Sequence, residues 1–234
     1  PVESYWRQFV TLIHGDMKGF AGNYVGAVKN YRSVKLGSEQ DEANFYIQLA
    51  KGKEAWFHWW AGYLQEAVGL YDDLLQSSSD TEYITSSWVG VIKALRGEVY
   101  CERNNLTQAQ ELIEEGFEIC NQAPGVKGKV VGFFINIIRL RYYFTTKSFN
   151  QVQEVFESLQ GLAEEELNVY LINFITAWQA RFWLEPEYPA DTGWKEAFKL
   201  LSSRGVKPEN EPETFQLLEY LVLSRVLLAG SLWK

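Results

Sequence analysis

The sequence predicts an all-α fold of stacked helical hairpins, and three observations carry that prediction. Five short segments repeat one pattern, a compact residue followed by large apolar residues three, four and often seven positions later. They are Ala27/Tyr31/Val34, Ala67/Leu70/Tyr71/Leu74, Ala109/Leu112/Ile113, Val152/Val155/Phe156/Leu159 and Ala197/Leu200/Leu201. That spacing places the large residues on one face of a helix. The lead residues stand 40, 42, 43 and 45 residues apart, a step that belongs to arrays of helical hairpins. No segment alternates apolar and polar residues between hairpin turns, as strands would. We therefore expect a right-handed α-solenoid of TPR-like hairpins over residues 1–234, about five hairpins plus one terminal helix.

The elements follow in order. A short first helix spans Ser4 to His14. The second hairpin pairs Phe45–Ala61 with Tyr63–Gln76 across Gly62. The third runs from Glu82 to Arg103, turns at Asn104-Asn105 and continues from Leu106 to Gln122. Ser79 with Glu82 has the spacing of a capping box. Pro124-Gly125 and Gly128 separate it from a helix over Val130–Thr145. Ser148 and Gln151 form a second capping-box pattern, opening a helix to Leu159, and Gly161–Glu166 reads as a connector. The fifth hairpin pairs Leu167–Leu184 with a helix from Gly193 or Trp194 to Arg204, joined through Pro186 and Pro189. After the polar stretch Lys207–Pro212, a last helix spans Glu213–Ala229 and stops at Gly230. It has no partner helix, so we expect a domain belonging to a larger protein.

Composition narrows the function. With 234 residues and 47% apolar content the chain can bury a sizeable core. A net charge of −8 without a basic stripe argues against nucleic acid or anionic lipid as a direct partner. The longest apolar run, Val130–Ile138, falls far short of the about 20 residues of a membrane span. Cys101 and Cys120 are placed roughly 20 Å apart by a rise of ~1.5 Å per residue. A disulfide needs Cα atoms within about 7 Å. Two free thiols are expected, which fits a reducing cytoplasm.

No catalytic signature is present. The chain has no G-x-x-x-x-G-K-[ST] loop, no G-x-S-x-G elbow and no H-E-x-x-H pair. His14 and His58 lie in different repeats without a Cys or carboxylate at ligand spacing, so no metal or other cofactor is expected. Glu164-Glu165-Glu166 reads as an acidic helix start, where the macrodipole favours it. These absences point away from an enzyme.

What remains is a surface. Aligning repeats on their lead residues places His58, Tyr100 and Tyr143 between helices, with Trp183 as the fifth-repeat counterpart. A row two residues earlier, Trp56, Glu98, Arg141 and Arg181, is expected to face the concave groove, with Arg225 in the like place of the last helix. Trp59, Trp60, Cys101, Glu102, Phe144 and Glu185 follow one turn on. Guanidinium groups fork onto carboxylates or phosphates, and tryptophan faces stack on flat ligands. Trp56, Trp59, Trp60, Glu98, Glu102, Arg141, Arg181 and Arg225 are therefore the candidate binding residues, for a small polar effector or a partner peptide. Arginines so placed also pair with Glu of a neighbouring helix and hold repeats in register, and both readings apply here.

The C-terminal third carries a family pattern. Ala177-Trp178-Gln179-Ala180-Arg181-Phe182-Trp183-Leu184 is similar to an A-x-x-A-R-L-W-L helix, and Glu219–Gly230 to E-Y-L-T-L-A-R-V-L-L-A-x-G. Both resemble the TPR-like sensor domain of large ATP-dependent LuxR-type regulators, the maltotriose-responsive activator (MalT) family. Arg96-Gly97 with Asn105-Leu106 and Ala109 resembles that family's R-G-x-L-x-x-A turn. The resemblance implies an effector-sensing domain, with ATPase and helix-turn-helix modules elsewhere in the parent. Two departures stand out: a longer Pro186/Pro189 segment replaces the family's Gly-Asp turn, and Ser224 stands where Ala is usual. The plainer alternative is a TPR-type scaffold that binds a peptide or helix.

Overall fold

The computed structural model describes residues 2–34, 40–78, 86–122, 126–166, 169–185, 190–211 and 217–232. Among them every regular element is a helix: α1 (Val2–Phe20), α2 (Tyr24–Arg32), α3 (Gln40–Trp60), α4 (Leu64–Ser78), α5 (Ser86–Glu102), α6 (Leu106–Asn121), α7 (Val126–Thr145), α8 (Phe149–Glu166), α9 (Val169–Phe182), α10 (Ala190–Ser203) and α11 (Leu217–Leu232). Within each unit, helices pack side by side as in a TPR-like α-solenoid. The chain forms two compact units, Pro1–Phe149 and Asn150–Lys234.

One kind of turn ends four helices, α1, α3, α5 and α7. Gly22, Gly62, Asn104 and Lys147 take φ values of 81°, 85°, 57° and 55°. Each stands five residues before a lead residue of the repeat. The next amide reaches back to the carbonyl five residues earlier: Asn23 to Lys18, Tyr63 to His58, Asn105 to Tyr100 and Ser148 to Tyr143, at 2.8–3.0 Å. This is the bonding of a Schellman turn, whose left-handed residue lets the chain reverse and consumes the helix's orphan carbonyls. Asn23 and Asn105 then cap the following helices, accepting from the Gly26 and Gln108 amides. The Ser148 hydroxyl pairs with Thr146 Oγ1 at 2.9 Å, and α8 begins one residue later. The capping box expected at Ser79 and Glu82 lies outside the described residues, as do Pro186 and Pro189.

In the first unit, Leu12, Ala27, Tyr31, Val34, Ala50 and Phe57 bury one core. The Tyr31 and Phe57 rings stack at 5.8 Å. Burying each such side chain stabilises by roughly 1.5–3 kcal/mol. Here α1 departs from expectation: it continues past His14 to Phe20. Gly15 and Gly19 do not end it, because they are packing positions. A Cβ on Gly15 would lie 2.8 Å from Tyr31 Cζ, and one on Gly19 would strike the Phe57 ring. Farther along, Ala55, Trp59, Ala67, Tyr71, Leu74, Ile92 and Val99 bury a second core.

The second unit buries Ala177, Ala180, Ala197, Leu201, Val206, Val222, Leu223 and Val226. Val152, Val155, Phe156 and Leu159 of α8 are buried as well. Three boundaries correct the sequence reading. Helix α7 opens at Val126 with Gly128 inside it, and α8 runs through Gly161 to Glu166. Glu164–Glu166 therefore close α8 instead of opening the next helix. Helix α11 passes through Gly230, where a Cβ would meet Trp194 Cε3 at 2.9 Å. That glycine makes room for the Trp194 ring and does not terminate the helix. No helix among the described residues is long and apolar enough to cross a membrane.

Candidate functional site

Four of the predicted residues, Trp59, Glu98, Glu102 and Arg141, meet in one place. Arg141 of α7 sets its Nη1 2.5 Å from Glu98 Oε1 of α5, and its guanidinium lies 5.1 Å from the Trp59 ring centroid of α3. The contact is an ion pair by distance, although Glu98 Oε1 has no aligned hydrogen bond among the described residues. Glu98 is buried, and burial raises its carboxyl to about 7 against the pull of Arg141, with the charge of Glu102 raising it further. Cys101, Glu102, Tyr142 and Thr145 complete a cavity of about 40 Å³ around the pair. That holds a water molecule or two and no larger ligand. Trp59, expected to face the groove, is 8% exposed and belongs to the core. The cluster ties three successive hairpins together in register.

Trp56 and Trp60 form a separate aromatic group with Phe20. Ring centroids lie 4.6 Å apart for Trp56–Trp60 and 5.9 Å for each of them to Phe20. Phe20 and Trp60 are 62% and 45% exposed.

Near this group runs a groove that the sequence reading did not identify. It is formed by Tyr24, Val25, Val28, Lys29 and Arg32 of α2 with Phe57 and His58 of α3, and closes at Ala61 and Tyr63, enclosing about 440 Å³. Its floor is apolar and its edge is basic. Tyr24 meets Phe57 at 6.2 Å, while Val25 is 84% and Tyr63 57% exposed. Arg32 is positioned by buried Glu54, with Nη2 at 2.6 Å, and His58 Nε2 stands 3.6 Å from the same carboxylate. Lys29 is exposed. One signal pointed here: the outward apolar residues Tyr24, Val25 and Val28 in a nine-residue helix.

In the second unit, Arg181 of α9 and Arg225 of α11 line a common cavity of about 200 Å³ with Trp178, Leu218, Leu221 and Ser224. The Arg181 guanidinium lies over the Trp178 ring at 4.8 Å. Burial, and next the charge of Arg225, lower the Arg181 pKa, while Glu185 opposes them. Elsewhere in this unit Glu219, in the first turn of α11, is buried with both carboxylate oxygens lacking a hydrogen-bond partner among the described residues. Burial raises its carboxyl to about 7.

Both cysteines are free thiols; buried Cys120 places its Sγ 3.1 Å from the Ser87 carbonyl, and burial raises its pKa to about 11. Among the described residues no group of three or more His, Cys, Asp or Glu side chains could hold a metal ion.

No family model and no curated protein matches this chain. Solved structures do. The crystal structure of BtubC (BKLC) from P. vanneervenii superimposes with a TM-score of 0.50 at 13% identity, covering 94% of this chain and 78% of its own. At that identity the likeness shows a shared fold alone. A Podosopora anserina protein described as a kinesin light chain with nearly identical TPR-like repeats reaches 0.45 at 18% identity, covering 97% of both chains. A variant of it reaches 0.45 at 17%, covering 96% of this chain and 95% of its own.

Proposed function

We propose that this chain is a protein-interaction domain that docks a partner's peptide or helix in the groove between α2 and the end of α3. One observation carries the reading: an open, apolar, basic-edged groove of about 440 Å³ beside the exposed rings of Phe20 and Trp60. Exposed apolar patches of this kind mark docking surfaces, and helix-in-groove recognition uses apolar anchors spaced along one face. The exposed cation Lys29 suits an acidic residue beside those anchors. No catalysis is part of this reading.

The test is selection of peptides from a random displayed library against the wild-type chain, with each recovered peptide measured against Val25→Asp. Val25 is exposed in the first turn of α2, where an acidic residue suits the helix dipole, so the variant keeps its fold. Recovered peptides should share apolar anchors and lose at least tenfold in affinity on Val25→Asp. Peptides that bind both proteins equally would move the docking site elsewhere.

A second reading is favoured by the residues of α9 and α11 that resemble the MalT-type sensor domain, and by the convergence of Arg181 and Arg225 on one cavity. It makes the chain the effector-sensing module of a LuxR-type regulator, in which a bound effector favours one state of the parent protein.

A further inference from the structure

We infer that Arg181 and Arg225 form a binding site for a small organic oxyanion, a carboxylate or phosphate carried on a compact apolar body. The inference rests on the cavity of the second unit and holds under either reading of the chain's function.

The geometry comes from two helices. Trp178 and Arg181 stand three residues apart on α9, and Leu218, Leu221 and Arg225 recur at three and seven residues on α11, so each set shares one helix face. All five line the same cavity of about 200 Å³. Glu219 and Arg225 are the charged residues of an otherwise apolar α11, and Arg225 points to the side away from the buried positions Val222, Leu223 and Val226. Among the described residues no carboxylate lies within ion-pair distance of Arg225. Two guanidinium groups thus line one small space, and the charge of Glu185 acts on Arg181. Like charges held together are unfavourable until an anion lies between them.

The ligand's chemistry follows from the lining. Arginine forks onto planar or tetrahedral oxyanions through paired N–H donors. Trp178 fixes the Arg181 plane by cation–π contact at 4.8 Å. Leu221, 65% exposed, and Leu218, 37% exposed, offer an apolar wall to the rest of the molecule. A volume of about 200 Å³ is smaller than the roughly 300–1,000 Å³ of sites for drug-sized ligands, which limits the body to about one small ring or short chain.

Calorimetric titration tests this with four probes: phenyl phosphate, benzoate, inorganic phosphate and benzyl alcohol. Each is added to the full chain and to Arg225→Gln and Arg225→Lys. Phenyl phosphate or benzoate should bind, benzyl alcohol should not, and inorganic phosphate should bind more weakly than its phenyl ester. Arg225→Gln should weaken binding at least tenfold, and Arg225→Lys less, because it keeps the charge and loses the fork. Without ligand, Arg225→Gln should melt at the same temperature as the wild type or higher, since one of two like charges is gone. Failure of both organic anions to bind would overturn the site, as would unchanged binding by Arg225→Gln. A lowered melting temperature with unchanged binding would assign Arg225 a structural role instead. Equal affinity for inorganic and phenyl phosphate would overturn the apolar half of the assignment.

Discussion

Glu219→Gln should remove a pH-dependent instability from the second unit. Glu219 is 1% exposed, and burial lifts its carboxyl from 4.5 to about 7 against the attraction of Arg204. Folding therefore favours the protonated form. Below pH 4.5 the group is protonated in both states and exerts no effect. As pH rises from 4.5 to about 7 the unfolded chain releases its proton first, so stability falls. Above 7 both states are ionised and the loss is complete. At about 1.36 kcal/mol per pKa unit, the full loss is about 3 kcal/mol, of which about 2 falls between pH 5 and pH 8. Glutamine cannot ionise, and whatever its amide costs in this apolar setting is the same at both pH values. The assay is urea unfolding followed by circular dichroism, wild type against Glu219→Gln, at pH 5 and pH 8. The variant should gain about 2 kcal/mol on the wild type in going from pH 5 to pH 8. A difference that does not change with pH would show that Glu219 ionises freely in the folded protein, and would refute its placement.

Arg141→Ala should destabilise by about 1–2 kcal/mol at pH 8, a figure held below the 3–5 of a fully buried pair because the arginine side chain is 38% exposed. At pH 5 the cost should shrink, since Arg141 holds the Glu98 carboxyl down and a protonated Glu98 no longer needs it; an equal loss at both pH values in urea unfolding would assign the residue's role to packing on Trp59. Lys147→Gly should stabilise by about 0.5–1 kcal/mol. Its φ of 55° costs a side-chain-bearing residue about 1–2 kcal/mol, partly offset by the backbone entropy of glycine, and a lower urea midpoint would show that the lysine side chain supports the turn.

The repeat was legible in the sequence because its cause is local. Ala27, Ala67, Ala109, Val152 and Ala197 are all fully buried, five residues after a turn where present, so a compact side chain recurs wherever two helices of a hairpin meet. Helix ends were less legible. Glycine in a sequence reads as a stop, yet Gly15, Gly19 and Gly230 are set by the rings packed against them, and those rings arrive from other helices. Trp59 shows the same limit on the site: its row faces the wall shared by α3, α5 and α7, but whether a wall residue meets solvent depends on what covers it. The buried Glu219 gave no sign in a helix that is apolar on nearly every side.

The pairing of charges gives the best guide to which surface binds. In the first unit several cations meet an acid on another helix. Lys53 meets Asp16 at 2.9 Å, Arg96 meets Asp72 at 2.6 Å, Arg139 meets Glu114 at 3.1 Å, and Arg141 meets Glu98. Each pair joins two different helices. Pairs with exposed members are worth about 0–1 kcal/mol, so their consequence is alignment of one hairpin on the next more than stability. Arginines used this way are already satisfied and have little to offer a ligand. Beside these pairs, a cavity-lining arginine without one stands out. Arg225 has no acid within reach among the described residues and faces Arg181 across a cavity. In a chain with a net charge of −8, carboxylates are abundant, so a cavity arginine that meets none of them among the described residues is placed for an anion from outside.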